Sequence, residues 1–157
     1  KRGALVADYP ILTELLDLPN VKVVHYQLVG HHRLNLFVES TLSVAVCPTC
    51  KQINVAVHDV GEPQMLRDLS IWKRQCWLHH APRRFKCTSC QNTFVERLLW
   101  RDTGLAYTQR YEQFIYEHVQ HDTIAQVAHD EGLSEDIVQS IFVRRAKKES
   151  PSAAIPS

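Results

Sequence analysis

Two features of the sequence predict an α+β chain whose first part is β-rich and clamped by a metal and whose second part is helical. One is a pair of short cysteine spacings, Cys47-Pro48-Thr49-Cys50 and Cys87-Thr88-Ser89-Cys90. The other is a change of pattern near Asp102-Thr103-Gly104, from alternating β-branched runs to apolar residues recurring every three or four positions. Each cysteine pair lets a tight turn aim two thiolates at one cation. Four such soft ligands, Cys47, Cys50, Cys87 and Cys90, suit a single tetrahedral zinc in a closed, structural site. The expected organisation is a zinc-ribbon-like β domain over 1–101 with a short N-terminal helix, a three-helix helix-turn-helix module over 102–149, and a flexible tail over 150–157.

Taken in order, Pro10 to Leu18 has helical apolar spacing and Pro19-Asn20 ends it. The β-rich runs Val21–Val29 and Leu34–Glu39 flank a turn-like Gly30-His31-His32-Arg33 and predict a hairpin. Adjacent histidines on extended backbone point to opposite faces, so His31 and His32 read as solvated turn residues rather than ligands. Leu42–Val46 leads into the first cysteine pair, and the alternating Ile53–His58 is the expected return strand. Met65–Ser70 reads as an irregular connection and Ile71–Leu78 as a strand. Arg83–Lys86 carries the chain into Cys87, and Thr93–Glu96 closes the β region. Because residues 51–86 separate the two pairs, more than the roughly 15–20 of a compact site, the ribbon is expected to hold an inserted hairpin. His58, His79 and His80 lack diagnostic spacing and are left out of the ligand set. Trp72, Trp77 and Trp100 read as core or interface anchors.

In the second part, Thr108 is a candidate N-cap for a helix carrying Tyr111, Phe114, Ile115, His118 and Val119. A second helix covers about Thr123–Glu131 and a third about Glu135–Lys148. Ala128 is small where those two helices would cross, and Gly132 allows a left-handed turn. Ser134 caps the third helix, and Val138 and Ile141 return to a core with Ile124, Val127 and Leu133. These are the requirements of a helix-turn-helix.

Net charge is +1, yet residues 47–107 carry nine basic and five acidic groups. A basic middle points to a polyanionic partner. Candidate contacts to double-stranded DNA are Lys73, Arg74, Arg83, Arg84 and Lys86 near the cysteines. From the third helix come Ser134, Gln139 and Ser140 toward bases, and Arg144, Arg145, Lys147 and Lys148 toward phosphates. Glu135 and Asp136 suit the helix N-terminus through its dipole. Five cysteines fit four ligands plus Cys76 as a spare thiol better than a disulfide framework. No stretch approaches the roughly 18–20 apolar residues of a membrane span, and the start is too short in its apolar part for a signal peptide. No phosphate loop or Ser, His and acid constellation can be placed, so the chain reads as non-catalytic.

The order Cys47-Pro48-Thr49-Cys50, Arg67-Asp68-Leu69, Arg83-Arg84-Phe85-Lys86-Cys87, Cys90 and Phe94-Val95-Glu96, followed by a helix-turn-helix, resembles the N-terminal region of bacterial insertion-sequence transposases of the ISL-three family. The upstream Leu15–Val23 is similar too. Lys51 stands where such proteins often have glycine. The resemblance implies recognition of terminal inverted repeats and, after Ser157 in a parent polypeptide, a catalytic domain with three acidic residues and magnesium. The expectation is therefore the DNA-binding part of a transposase, cytoplasmic and nucleoid-associated, with no membrane partner and a homodimer left open. A free-standing transcriptional regulator and a zinc-stabilised interaction adaptor are the competing readings.

Overall fold

A computed structural model describes residues 8–54, 56–102 and 104–149. The chain divides into two compact units at the Ala106–Tyr107 junction. The expected tail at 150–157 lies outside the described residues.

The first unit opens with α1 (Pro10–Leu16), started by proline at its first turn and stopped by Asp17 in the left-handed region, φ 53°. Strands β1 (Val21–Val29) and β2 (Arg33–Ser40) form the expected hairpin. The knuckle segments follow as β3 (Ala45–Val46), β4 (Ile53–Asn54) and β5 (Val57–Val60). Then come β6 (Gln64–Ile71), β7 (Arg74–His80), β8 (Arg83–Lys86) and β9 (Thr93–Val95). They make a four-stranded sheet in the order β1-β2-β7-β6, a two-stranded β3-β4 and a three-stranded β5-β8-β9.

Four expectations change. The strand expected over Ile71–Leu78 is broken by a turn at Trp72-Lys73, with Ile71 ending β6 and Arg74 starting β7. Met65–Ser70 is not an irregular connection but most of β6, a strand whose alternation is hidden because Leu66, Arg67 and Asp68 are all buried. The return strand expected over Ile53–His58 is two strands, one pairing with β3 and one with β8. The inserted hairpin is no excursion from the ribbon: β6 and β7 join β1 and β2, with β2 and β7 parallel from Arg33↔Gln75 to Val38↔His80.

That parallel pair decides where the cysteines go. Strands running side by side in one direction leave the sheet at the same end, and Cys47 follows Ser40 by the seven residues that also separate Cys87 from His80. Both knuckles are thus delivered to one place. One face of the sheet packs Leu34, Leu36, Val38, Leu66, Cys76 and Leu78 against Leu16, Leu98 and Trp100. The other is covered by long side chains, with Arg33 4.8 Å and Arg67 5.7 Å above the Trp77 ring.

A buried polar chain ties the sheet to the ribbon. Ser40 Oγ donates to Glu96 Oε2 (2.7 Å), and Arg83 binds the same carboxylate through its backbone N–H (2.9 Å), Nε (3.1 Å) and Nη2 (2.9 Å). His80 Nε2 meets Ser40 Oγ at 2.8 Å and Nδ1 meets Arg101 Nη1 at 3.1 Å. With Arg101 donating to Nδ1, the proton of neutral His80 sits on Nε2 and donates to Ser40. Burial first, then the Arg101 charge, push His80 from the ordinary 6.5 down to about 4, against the opposing pull of Glu96.

In the second unit, α2 (Gln109–Val119), α3 (Ile124–Glu131) and α4 (Glu135–Glu149) are all capped by side chains, α2 and α4 by the residues the sequence predicts and α3 by Thr123, which was expected inside the helix. Thr108 Oγ1 accepts from Tyr111 N (3.2 Å), Thr123 Oγ1 from Gln126 N (3.1 Å) and Ser134 Oγ from Ile137 N (3.2 Å). Gly132 ends α3 at φ 67°, in the left-handed region where a side chain is costly. Val127, Ala128, Val138 and Ile141 are buried with Tyr111 and Ile115. Tyr116 stacks on Phe142 at 5.2 Å, joining α2 to α4.

His80 gives a pH prediction with a definite sign. The unfolded chain binds this proton below about pH 6.5 and the folded chain only near 4, so stability is full above 6.5 and is lost as pH falls toward 4. Urea midpoints at pH 7 and pH 5, followed by circular dichroism, should show a smaller drop in His80→Gln than in the wild type. An equal drop would remove His80 as the cause.

Candidate metal centre and nucleic-acid interface

The two knuckles are built alike. In the first, Cys47 N donates to Gln52 O (2.9 Å) and Lys51 N to Cys47 O (2.9 Å); in the second, Cys87 N donates to Asn92 O (2.7 Å) and Gln91 N to Cys87 O (3.0 Å). Closing each turn puts the residue after the second cysteine in the left-handed region, Lys51 at φ 67° and Gln91 at φ 65°. Each site would suit glycine, and each holds a long polar residue at a cost of about 1–2 kcal/mol.

Cys47 Sγ lies 3.7 Å from Cys90 Sγ and Cys50 Sγ 3.4 Å from Cys87 Sγ. The four sulfurs all fall within 4.8 Å of one another. A disulfide needs about 2.05 Å, so these thiols are free. Four sulfurs 2.3 Å from a central ion in a tetrahedron would stand about 3.8 Å apart, which the observed spacings approach. Electrostatics points the same way. The Cys90 amide, above all, lowers Cys87 to about 6, and the Cys50 amide chiefly lowers Cys47. Cys90 goes the other way: the Asn92 amide favours its thiolate, but desolvation and the surrounding thiols push it up to about 12. Four thiolates cannot share this volume without a cation. The cluster is a metal-binding site.

Two asparagines brace the knuckles against each other, and sequence reasoning did not find them. Buried Asn54 accepts from Thr88 N (3.0 Å) and donates to Gln52 O (3.0 Å), while Asn92 Nδ2 donates to Thr49 Oγ1 (3.1 Å). Their offsets from the neighbouring cysteines differ, so spacing carries no signal for them. Phe85 is buried behind the second knuckle and stacks on Phe94 at 5.9 Å.

The basic candidates are scattered by the fold. Arg83 is committed to Glu96 and to Leu42 O (2.7 Å). Arg84 forks onto Asp59, which is thereby held below its usual carboxylate range. Lys86 is exposed beside Cys87. Lys73 and Arg74 lie at the opposite end of the four-stranded sheet, so the sequence expectation that groups them beside the zinc knuckle does not hold. On α4, Ser134, Gln139 and Ser140 are exposed, as are Glu135, Asp136, Lys147 and Lys148. Arg144 reaches back to buried Glu112 (Nε to Oε1, 3.2 Å), and Arg145 to Gln113 Oε1 (3.1 Å). These two hold α4 to α2.

Residues 43–90 match the zinc-finger of transposase IS204/IS1001/IS1096/IS1165. Residues 106–146 match the helix-turn-helix domain of transposase family ISL3. The chain belongs to the ISL3 transposase family. No curated protein and no solved structure gives a significant match. The first ISL3 match runs from just before β3 through Cys90 and encloses both knuckles. The second takes in α2, α3 and most of α4, so the ISL3 helix-turn-helix is the unit whose caps and core are described above. No helix among the described residues is long and apolar enough to cross a membrane.

The strained knuckle turn can be relieved. Lys51→Gly should raise the stability of the metal-loaded protein by about 1 kcal/mol in urea titration, because it removes a Cβ from the left-handed region while Lys51 N keeps its bond to Cys47 O. A loss of stability would show that the lysine side chain contributes more than the turn strain costs.

Proposed function

We propose that this chain recognises the terminal inverted repeats of an insertion sequence, as the sequence-specific DNA-binding part of an ISL3 transposase, with one structural zinc on Cys47, Cys50, Cys87 and Cys90. The observation that carries the reading is the α3–turn–α4 unit. Gly132 and Ser134 set the turn, the buried side chains Val127, Ala128, Val138 and Ile141 fix the helices to one another, and the N-terminal half of α4 is left polar and exposed.

Within that half, Gln139 has the amide geometry for a bidentate pair with adenine, and Ser134 and Ser140 can serve several bases. Glu135 and Asp136 sit in the first turn, where the helix dipole favours them. An acidic side chain there can also accept from cytosine N4. Lys147 and Lys148 carry the phosphate contacts of the last turn, while Arg144 and Arg145 act indirectly by fixing the angle of α4. The donor set argues for zinc: four thiolates leave no open position and suit a soft, redox-silent divalent ion. When bound, the ion supplies cross-linking of the two knuckles and no chemistry on DNA. The exposed Lys86 is the cation that such a rigidified knuckle presents.

Titration of a labelled terminal repeat and a scrambled duplex at physiological salt tests the reading. Specific binding should exceed non-specific binding by about a thousandfold or more, and Gln139→Ala should reduce that ratio by about 1–3 kcal/mol. Equal, weak affinity for both duplexes would sink end recognition.

A further inference from the structure

The four-stranded sheet has a second end, remote from the cysteines. The turn between β1 and β2, Gly30-His31-His32, and the turn between β6 and β7, Trp72-Lys73, lie side by side there, joined by Gln75 N donating to His32 O at 2.8 Å. Trp72 is 79% exposed. It and Lys73 both adopt left-handed backbone, φ 47° and 66°, in a two-residue turn that asparagine and glycine would form without strain. A large aromatic residue that stays mostly exposed and strains the backbone contributes little to folding. Strain of this kind is retained where a ligand is met.

The surroundings are mainly cationic, with Asp68, one rung back from the tips, buried. The sequence holds no Asp or Glu from Leu18 to Val38 or from Leu69 to Val95, and these runs include both turns. Arg33, Lys73 and Arg74 supply fixed positive charge, and Arg74 Nε is a buried donor with no partner. Leu28 and Val29 are also partly exposed at this end, on β1. An exposed indole beside cations is the chemistry of a nucleic-acid contact: phosphates for the cations and a base for the ring.

We infer that the paired hairpin tips are a second DNA-contact site, with Trp72 stacking on a base and Lys73 and Arg74 holding the adjoining phosphates. The inference rests on the DNA-binding reading above. Ser40 and His80 anchor the other end of the sheet to the ribbon, so the tips project from it by the length of β2, about 25 Å for eight residues. That is about seven base pairs of duplex, at 3.4 Å each. The tip contact is sequence-tolerant, since every base offers a ring face.

The test replaces the strained turn with its unstrained form. The double variant Trp72→Asn, Lys73→Gly should unfold at a higher temperature than the wild type and yet bind the terminal repeat about tenfold more weakly or worse. Trp72→Phe should keep most of the affinity. Undiminished binding by the Asn-Gly variant would overturn the inference, as would a change confined to self-association in sedimentation. Should the wild type bind both duplexes equally, end recognition fails, and the tip site is still judged by the variants' affinity for either duplex. A wild type that binds neither duplex overturns both.

Discussion

The ribbon of the first unit depends on four sulfur atoms being held within 4.8 Å of one another. The strands that carry them are too short to do this alone: β3 and β4 have two residues each and β9 has three. Such pieces bury too little apolar surface to offset the entropy of ordering them. A cation shared by Cys47, Cys50, Cys87 and Cys90 would make good the difference, and its binding energy would become folding energy. The Asn54 and Asn92 braces then fix one knuckle against the other in a way the metal alone would not, because a tetrahedral ion constrains distances more tightly than rotations.

The sulfurs meet because of the sheet, not in spite of it. Parallel pairing of β2 and β7 sends both chains out of one end, and the Ser40, His80, Glu96 and Arg83 chain locks the exit. The same chain explains why a histidine and a carboxylate are buried near a metal site without being ligands. Neutral His80 passes a hydrogen bond from Arg101 toward Glu96, whose charge is answered by Arg83. Polar groups buried this fully stabilise only when every partner is present, which makes the junction specific in geometry.

What the sequence made legible was what is local. The two Cys-x-x-Cys turns, the start of α1, the β1–β2 hairpin, the Thr108 and Ser134 caps and the glycine stop all follow from residues a few positions apart, and all are found, whereas α1 stops at Asp17 rather than at Pro19-Asn20 and the Thr123 cap is visible only in the structure. The four-stranded sheet was hidden, because its defining contact joins residues 42 positions apart and parallel pairing leaves no turn signature. β6 is hidden for a related reason: Arg67 and Asp68 interrupt its alternation with charges that are both buried. The basic run Arg83–Lys86 looked like a phosphate-binding surface because Glu96 and Asp59, which claim its first two members, lie 13 and 25 residues away. Trp72 was grouped with Trp77 and Trp100, and only burial separates them.

A single ion on four thiolates would organise the ribbon. Amide hydrogen exchange before and after removal of metal by a chelator tests it most directly. One zinc per chain is expected in the protein as isolated. On chelation, protection should be lost at the amides of Cys47, Cys87 and Thr88 and kept in α2, α3 and α4, whose core is their own. A metal-free protein in which the three knuckle amides stay as protected as before would contradict it.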